Sequence, residues 1–197
     1  MVPGRPLEFD RDEALQKAVE VFWEKGFQAT SIDDLTARMG IGRQSLYNTF
    51  GDKESLLGEA IEAYFQAASA PMLAILNAPG SPAGNLTTFF RKTVDRCSSG
   101  DHKGCLMVNT GVEFAGMGAD SPILKAIRDR FKGLERAIRQ TIKQAIDAGE
   151  LSKSTDPLQL ATFLVGVFQG MLLMCKTGAS RETLERVAAG AIASLTK

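Results

Sequence analysis

One histidine in 197 residues leaves little material for imidazole chemistry. Nucleophile–base pairs and catalytic zinc sets draw on that side chain, so no enzyme class is suggested. The three cysteines, Cys97, Cys105 and Cys175, are an odd number at no metal-ribbon spacing. They exclude a disulfide framework and fit a reducing cytoplasm. A Cys97, His102, Cys105 set lacks a fourth ligand, so neither a metal nor a cofactor is expected. Net charge is also missing: 23 basic side chains balance 23 acidic ones, and no global basicity advertises a nucleic-acid partner. The first residues, Met1-Val2-Pro3-Gly4-Arg5-Pro6, lack the apolar core of a secretory signal. Alternation with a period of two is absent too, which argues against strands.

What is present is helical periodicity, cut by glycine, proline and capping residues into about nine helices. The predicted fold is all-α: a three-helix helix-turn-helix domain over 1–52, then a second helical domain over 53–197. Asp10 and Glu13 suggest a capping box before a helix that Gly26 ends. Leu15, Ala18, Val19, Phe22 and Trp23 form its apolar stripe. Short helices are expected from Ser31 to Met39 and from Arg43 to Thr49, around a Gly40-Ile41-Gly42 break. Asp52 caps a helix running to about Asn77. Longer helices follow over 82–98, 105–115, 122–149 and 156–178, with Ser180 capping the last.

The Thr30 to Phe50 stretch carries the sharpest signal. Two short helices around a glycine-bearing turn are the layout of a helix-turn-helix. Ile32, Leu35, Met39, Ile41, Leu46 and Phe50 supply a small core. The second helix keeps a polar face of Arg43, Gln44, Ser45, Tyr47, Asn48 and Thr49. Arg pairs with guanine and Gln or Asn with adenine, while Ser, Thr and Tyr reach phosphate oxygens. Thr30 and Ser31 stand at a helix start, where free amides favour a phosphate, and Lys53 can add a phosphate contact. Acidic residues outnumber basic ones over the first fifty-two residues, yet none lies on the reading helix.

From about Phe9 to Leu57 the chain resembles the N-terminal domain of the TetR/AcrR family of transcriptional regulators. The residues that carry the likeness are Ala14, Ala18, Phe22, Gly26, Phe27, Thr30, Ser31, Ile32, Leu35, Ala37, Gly40, Leu46, Tyr47, Phe50, Lys53, Leu56 and Leu57. The resemblance implies a DNA-binding repressor, not an enzyme, acting on double-stranded operator DNA. It implies phosphate contacts from Thr30, Tyr47 and Lys53, and base contacts around Arg43, Gln44, Ser45 and Asn48. Gly51-Asp52 departs from the family, which often has a basic or polar residue before the lysine.

Beyond about Tyr64 the resemblance is to the family's general architecture, in which the last two long helices form a four-helix bundle with a partner's. A homodimer through 156–177 and 180–196 is therefore expected. The helix from Asp156 is apolar nearly all round, and Gly166 and Gly170 lie one turn apart. Its uncharged run, Leu158 to Cys175, approaches the length of a membrane span. Gln159, Thr162, Gln169 and the lack of a polybasic flank favour a buried helix, with no membrane partner. For a small-molecule effector the lining candidates are Tyr64, Met107, Asn109, Glu113, Phe114, Phe168 and Met171. The apolar ones are equally readable as plain core, and Asn109 and Glu113 as a solvated edge. Cys105 follows Lys103-Gly104 at a helix start, where the helix dipole and nearby cations favour thiolate. The Lys-Gly-Cys-Leu segment resembles a subgroup of the family that senses electrophiles or oxidants.

Overall fold

The computed structural model describes residues 9–99, 103–117 and 121–195, and every regular element within them is helical. The chain divides into two compact units, Met1–Gln66 and Ala67–Lys197.

The first unit contains α1 (Arg11–Lys25), α2 (Ile32–Met39), α3 (Arg43–Phe50) and α4 (Lys53–Tyr64). Asp10 caps α1 by accepting from the amides of Asp12 and Glu13. Glu13 does not reach back as expected; it pairs with Lys17 one turn on, at 2.7 Å. The full capping box belongs to α2. There Ser31 Oγ accepts from the Asp34 amide and Asp34 accepts from the Ser31 amide. Ala14, Ala18, Val21 and Phe22 of α1 are buried with Leu35 and Met39 of α2, Leu46 and Phe50 of α3, and Leu56, Leu57 and Ala60 of α4.

A single residue sets the turn between α2 and α3. Gly40 ends α2 at φ 72° and ψ 29°, and its amide donates to Thr36 O at 3.0 Å. Gly42 then starts α3 from extended backbone. Nothing lies within 4 Å of where a Cβ on Gly40 would stand, so the demand is for the left-handed conformation alone.

Among the described residues there are ten α-helices, and they correspond to nine expected runs, one of them interrupted. The run from 52 to 77 is divided by a π turn, Phe65–Ser69, into α4 and α5 (Ala70–Leu76). Pro71 supplies the reason: it has no N–H to give to the carbonyl one turn back, so the hydrogen-bond register widens just before it. The division between the two units falls inside this turn.

The second unit continues with α6 (Pro82–Cys97), α7 (Leu106–Ala115), α8 (Pro122–Asp147), α9 (Pro157–Lys176) and α10 (Arg181–Ala193). Ser81, Asp156 and Ser180 cap their helices through side-chain oxygens, and proline sits in the first turn of α6, α8 and α9. The core joins Leu86, Phe89 and Phe90 of α6 to Ile138 and Ile142 of α8, Leu164 and Met171 of α9, and Leu184 of α10. Helix α9 is long and apolar enough to cross a membrane, but by length and composition alone. A third of its apolar window is buried within the chain, and Leu158, Phe163 and Leu173 remain exposed.

Replacing Gly40 by alanine is expected to cost about 1–2 kcal/mol, since an L residue there must adopt the left-handed region. Urea unfolding followed by circular dichroism checks this; an unchanged midpoint would show that the turn relaxes freely.

Candidate nucleic-acid interface

The amphipathic split of α3 decides what it presents. Leu46 and Phe50 are 0 % and 3 % exposed and anchor one side. Arg43, Gln44, Tyr47 and Asn48 are exposed on the other, with Ser45 and Thr49 half-buried at its margins. Gln44 Nε2 donates to Asn48 Oδ1 at 2.9 Å, so the two amides form one flat polar surface a turn long. Their remaining donors and acceptors are the groups that pair with base edges.

Arg43 does not extend freely from the start of α3. Its guanidinium donates to Asp33 of α2 through Nε at 3.1 Å and through Nη2 to both carboxylate oxygens at 2.7 Å. These hydrogen bonds, and then the carboxylate's charge, hold the guanidinium pKa above its ordinary value. Both side chains are largely solvent-exposed, so the pair exchanges readily with other acceptors. Glu20 and Glu24 of α1 and Asp34 of α2 are engaged in the same way. Arg38 bridges Glu20 at 3.2 Å and Glu24 at 3.1 Å, and Lys25 reaches Asp34. Much of the negative charge counted in the sequence is therefore locally neutralised.

Three expected phosphate contacts turn out to be tied into the scaffold. Thr30 is 1 % exposed, and its hydroxyl donates to Gly26 O. Ser31 is exposed, but its hydroxyl serves the Asp34 capping box. Lys53 Nζ donates to Phe27 O at 2.9 Å and to Thr30 O at 2.8 Å, and it lies 4.3 Å from the centre of the Phe27 ring. An ammonium has three protons, so one remains for a further acceptor. Sequence reasoning missed the inward use of Lys53 and the role of Asp33. The Ser31-to-Asp34 spacing did carry a readable signal for the box.

Of the other expected site residues, one belongs to the first unit and the rest to the second. Tyr64 is buried in the first unit, edge-on to Trp23 at 5.1 Å. Met107, Phe114 and Met171 are buried in the second unit, and Phe168 is half-buried against Phe89 at 5.0 Å. Asn109 Nδ2 donates to Lys103 O at 2.8 Å, and Glu113 is half-buried. None of these residues lines the groove of about 610 Å³ between α6 and α10, whose rim carries Arg91, Asp95, Arg181 and Glu185.

Cys105 stands in extended backbone just before α7, makes no side-chain capping hydrogen bond, and is buried, as are Cys97 and Cys175. Cys175 Sγ donates to Cys97 O at 3.5 Å. Burial first, and then the hydrogen bond with Cys175, push the Cys97 thiol up to about 12. Gly104, at φ 67°, allows the approach: a Cβ there would stand 2.9 Å from Leu172 O and from Lys176 Cβ. His102, the remaining member of the rejected metal set, lies outside the described residues.

The Asp34 carboxyl titrates well below the ordinary aspartate range, chiefly through its hydrogen bond to Lys25 and then through the Ser31 amide and hydroxyl. Its contribution is therefore complete above the unfolded value of about 3.9 and is lost as pH falls below it. Asp34→Asn should lower the urea midpoint at neutral pH, and the gap from the native protein should close on acidification below about pH 4. A gap independent of pH would place the effect elsewhere.

Residues 14–60 match the bacterial regulatory proteins of the tetR family, and residues 84–191 match the tetracyclin repressor-like C-terminal domain. The HTH-type transcriptional regulator YezE of Bacillus subtilis is 32% identical over 92% of this chain and 94% of its own. The HTH-type transcriptional repressor ComR of Escherichia coli is 32% identical over 94% of this chain and 88% of its own. Among solved structures, a cysteine mutant of the TetR family regulator CifR, complexed with 26-base-pair operator DNA, superposes with a TM-score of 0.83. It is 33% identical and covers 96% of this chain and 99% of that one. With a family model matched in each unit and relatives of 32–33% identity along nearly the whole length, the chain belongs to the TetR family of bacterial transcriptional regulators.

Proposed function

We propose that this regulator binds a palindromic operator as a homodimer, represses transcription from it in the cytoplasm, and is released when a small molecule enters its C-terminal unit. The observation that carries this reading is the polar surface of Arg43, Gln44, Tyr47 and Asn48 held out from a buried Leu46–Phe50 anchor. In the relative CifR the same architecture is complexed with operator DNA. One short helix touches too few base pairs for useful selectivity. Two such helices about one DNA turn apart (~34–36 Å) read an inverted repeat.

The second copy is expected on α9 and α10. Leu158, Phe163 and Leu173 are exposed on α9, and a Cβ at Gly166 or Gly170 would meet nothing within 4 Å, which leaves room for a close-packed partner helix. On this reading, 1–52 reads DNA and 53–197 binds ligand and dimerises. Met107, Phe114, Phe168 and Met171 offer apolar lining for the effector, with Asn109 and Glu113 as its polar contacts. Release needs only an effector that favours one spacing of the two reading helices over another.

A second reading assigns the signal to Cys105. It is favoured by the gathering of three buried cysteines where the segment before α7 meets the end of α9. There the Cys105 thiol gives its proton to solvent and its sulfur adds to the β-carbon of an activated alkene; the C–S bond forms as the C=C π bond opens, and the α-carbon takes a proton from water. A packed junction then has to accommodate the adduct.

In gel-shift titrations with DNA from upstream of its own coding sequence, Tyr47→Ala should weaken binding to all sequences alike, as loss of a phosphate contact does. Gln44→Ala should instead relax the preference at one position per half-site by about 1–3 kcal/mol. Native behaviour of both variants would remove α3 from the interface. An electrophile should release DNA from the native protein and not from Cys105→Ser; equal release from both would leave the non-covalent effector as the signal.

A further inference from the structure

In α1 and α10, exposed cations sit one helical turn from acids: Lys17 pairs with Glu13, Arg181 with Glu185 and Arg186 with Glu182. Helix α8 carries more cations than such pairing can absorb. Lys125, Arg128, Lys132, Arg136, Arg139 and Lys143 follow one another at steps of three or four residues, so each has another cation one turn away, and the helix sets only Asp129, Glu135 and Asp147 against them. At 3.6 residues per turn these six lie within about 80° of one another, in a row about 27 Å long. All are exposed except Arg139, which is half-buried.

The acids offset the row only in part. Asp129 stands one turn from Lys125 and Lys132 and reaches Lys132 at 3.5 Å, half-buried Glu135 stands one turn from Lys132 and Arg139, and Asp147 stands one turn from Lys143. Among the described residues, Lys125, Arg136, Arg139 and Lys143 have no ion-pair partner. Lys125 also stands in the first turn, where the helix dipole disfavours a cation, and that turn carries no acid. In a chain of zero net charge, such a row is a local concentration of charge and not a by-product of composition.

The chemistry of the face selects its partner. The exposed large apolar side chains are Tyr47, Val112, Met117, Leu158, Phe163 and Leu173, and none is on α8. The ridge therefore offers no anchor of the kind that centres a protein interface, and no apolar face to sink among lipid chains. A straight run of arginine and lysine at turn spacing matches a linear polyanion with regularly spaced phosphates. We propose that the α8 ridge is a second nucleic-acid contact, which holds the phosphate backbone without reading sequence and is separate from the reading surface of α3.

The test uses the full chain carrying Lys132→Gln, Arg136→Gln, Arg139→Gln and Lys143→Gln together; glutamine keeps helix propensity, and an unchanged thermal melt verifies the fold. The probe is a short duplex of random sequence, titrated over a range of salt against the native chain and against Tyr47→Ala. Tyr47→Ala, which removes an uncharged contact, should weaken binding to this probe without changing its salt slope, and the native chain should show the full salt-sensitive binding. The fourfold variant should lose most of it, with the slope of log K against log salt reduced by about 3–4 if all four cations contact phosphate. An unchanged slope in the fourfold variant overturns the proposal. So does loss of binding to phosphatidylserine vesicles in that variant with duplex binding intact, which would assign the ridge to a membrane surface. Failure of the α3 reading would appear separately, as operator preference unaffected by Gln44→Ala.

Discussion

Around the ammonium of Lys53 three parts of the N-terminal unit converge. It is carried on the first turn of α4, it closes the carbonyls of Phe27 and Thr30 on the loop between α1 and α2, and it rests over the Phe27 ring. A loop of that kind exposes carbonyls that nothing in a helix satisfies, and burying them unpaired costs about 1–3 kcal/mol each. A charged donor answers both at once. The loop sets where Ser31 begins α2, α2 sets the Gly40 turn, and the turn sets the direction of α3. The polar face of α3 is thus positioned by a cation twenty-odd residues away from the loop it secures, while one of its protons is left for an outside acceptor.

The same economy governs charge. The acidic residues of α1 and α2 looked unfavourable for a DNA-binding unit when only counted. Arranged in space they hold cations in place: Asp33 fixes Arg43, Asp34 holds Lys25, and Glu20 and Glu24 share Arg38. Exposed pairs of this sort contribute little stability each and exchange with water and ions. Their use here is orientation. Arg43 is directed toward Asp33, and because both side chains are exposed the guanidinium is readily released to another acceptor.

Much of the fold was legible because its helices are punctuated by local chemistry. Asp10, Ser31, Ser81, Asp156 and Ser180 each sit before a helix and cap it through a side-chain oxygen, and Gly26 and Gly40 stop helices at positive φ. The reading helix was legible for a related reason, since its apolar positions 46 and 50 leave only one face for polar groups. Long-range partners were not. That Lys53 turns inward depends on carbonyls at 27 and 30, and that Arg43 meets Asp33 depends on the α2–α3 angle; no local spacing encodes either. Thr30 likewise looked exposed at a helix start, whereas its hydroxyl returns to Gly26 inside the unit. The π turn at 65–69 was recoverable in principle from Pro71, whose missing N–H forbids an unbroken helix there.

The central claim is that two copies of the α3 surface, related by twofold symmetry, read one duplex. Selection of bound fragments by the full-length protein from a random pool of duplexes tests it most directly. The account predicts enrichment of an inverted repeat whose half-sites are centred about 10–10.5 base pairs, or a multiple of that, apart. Enrichment of a single unrepeated site, or of no sequence at all, would contradict it.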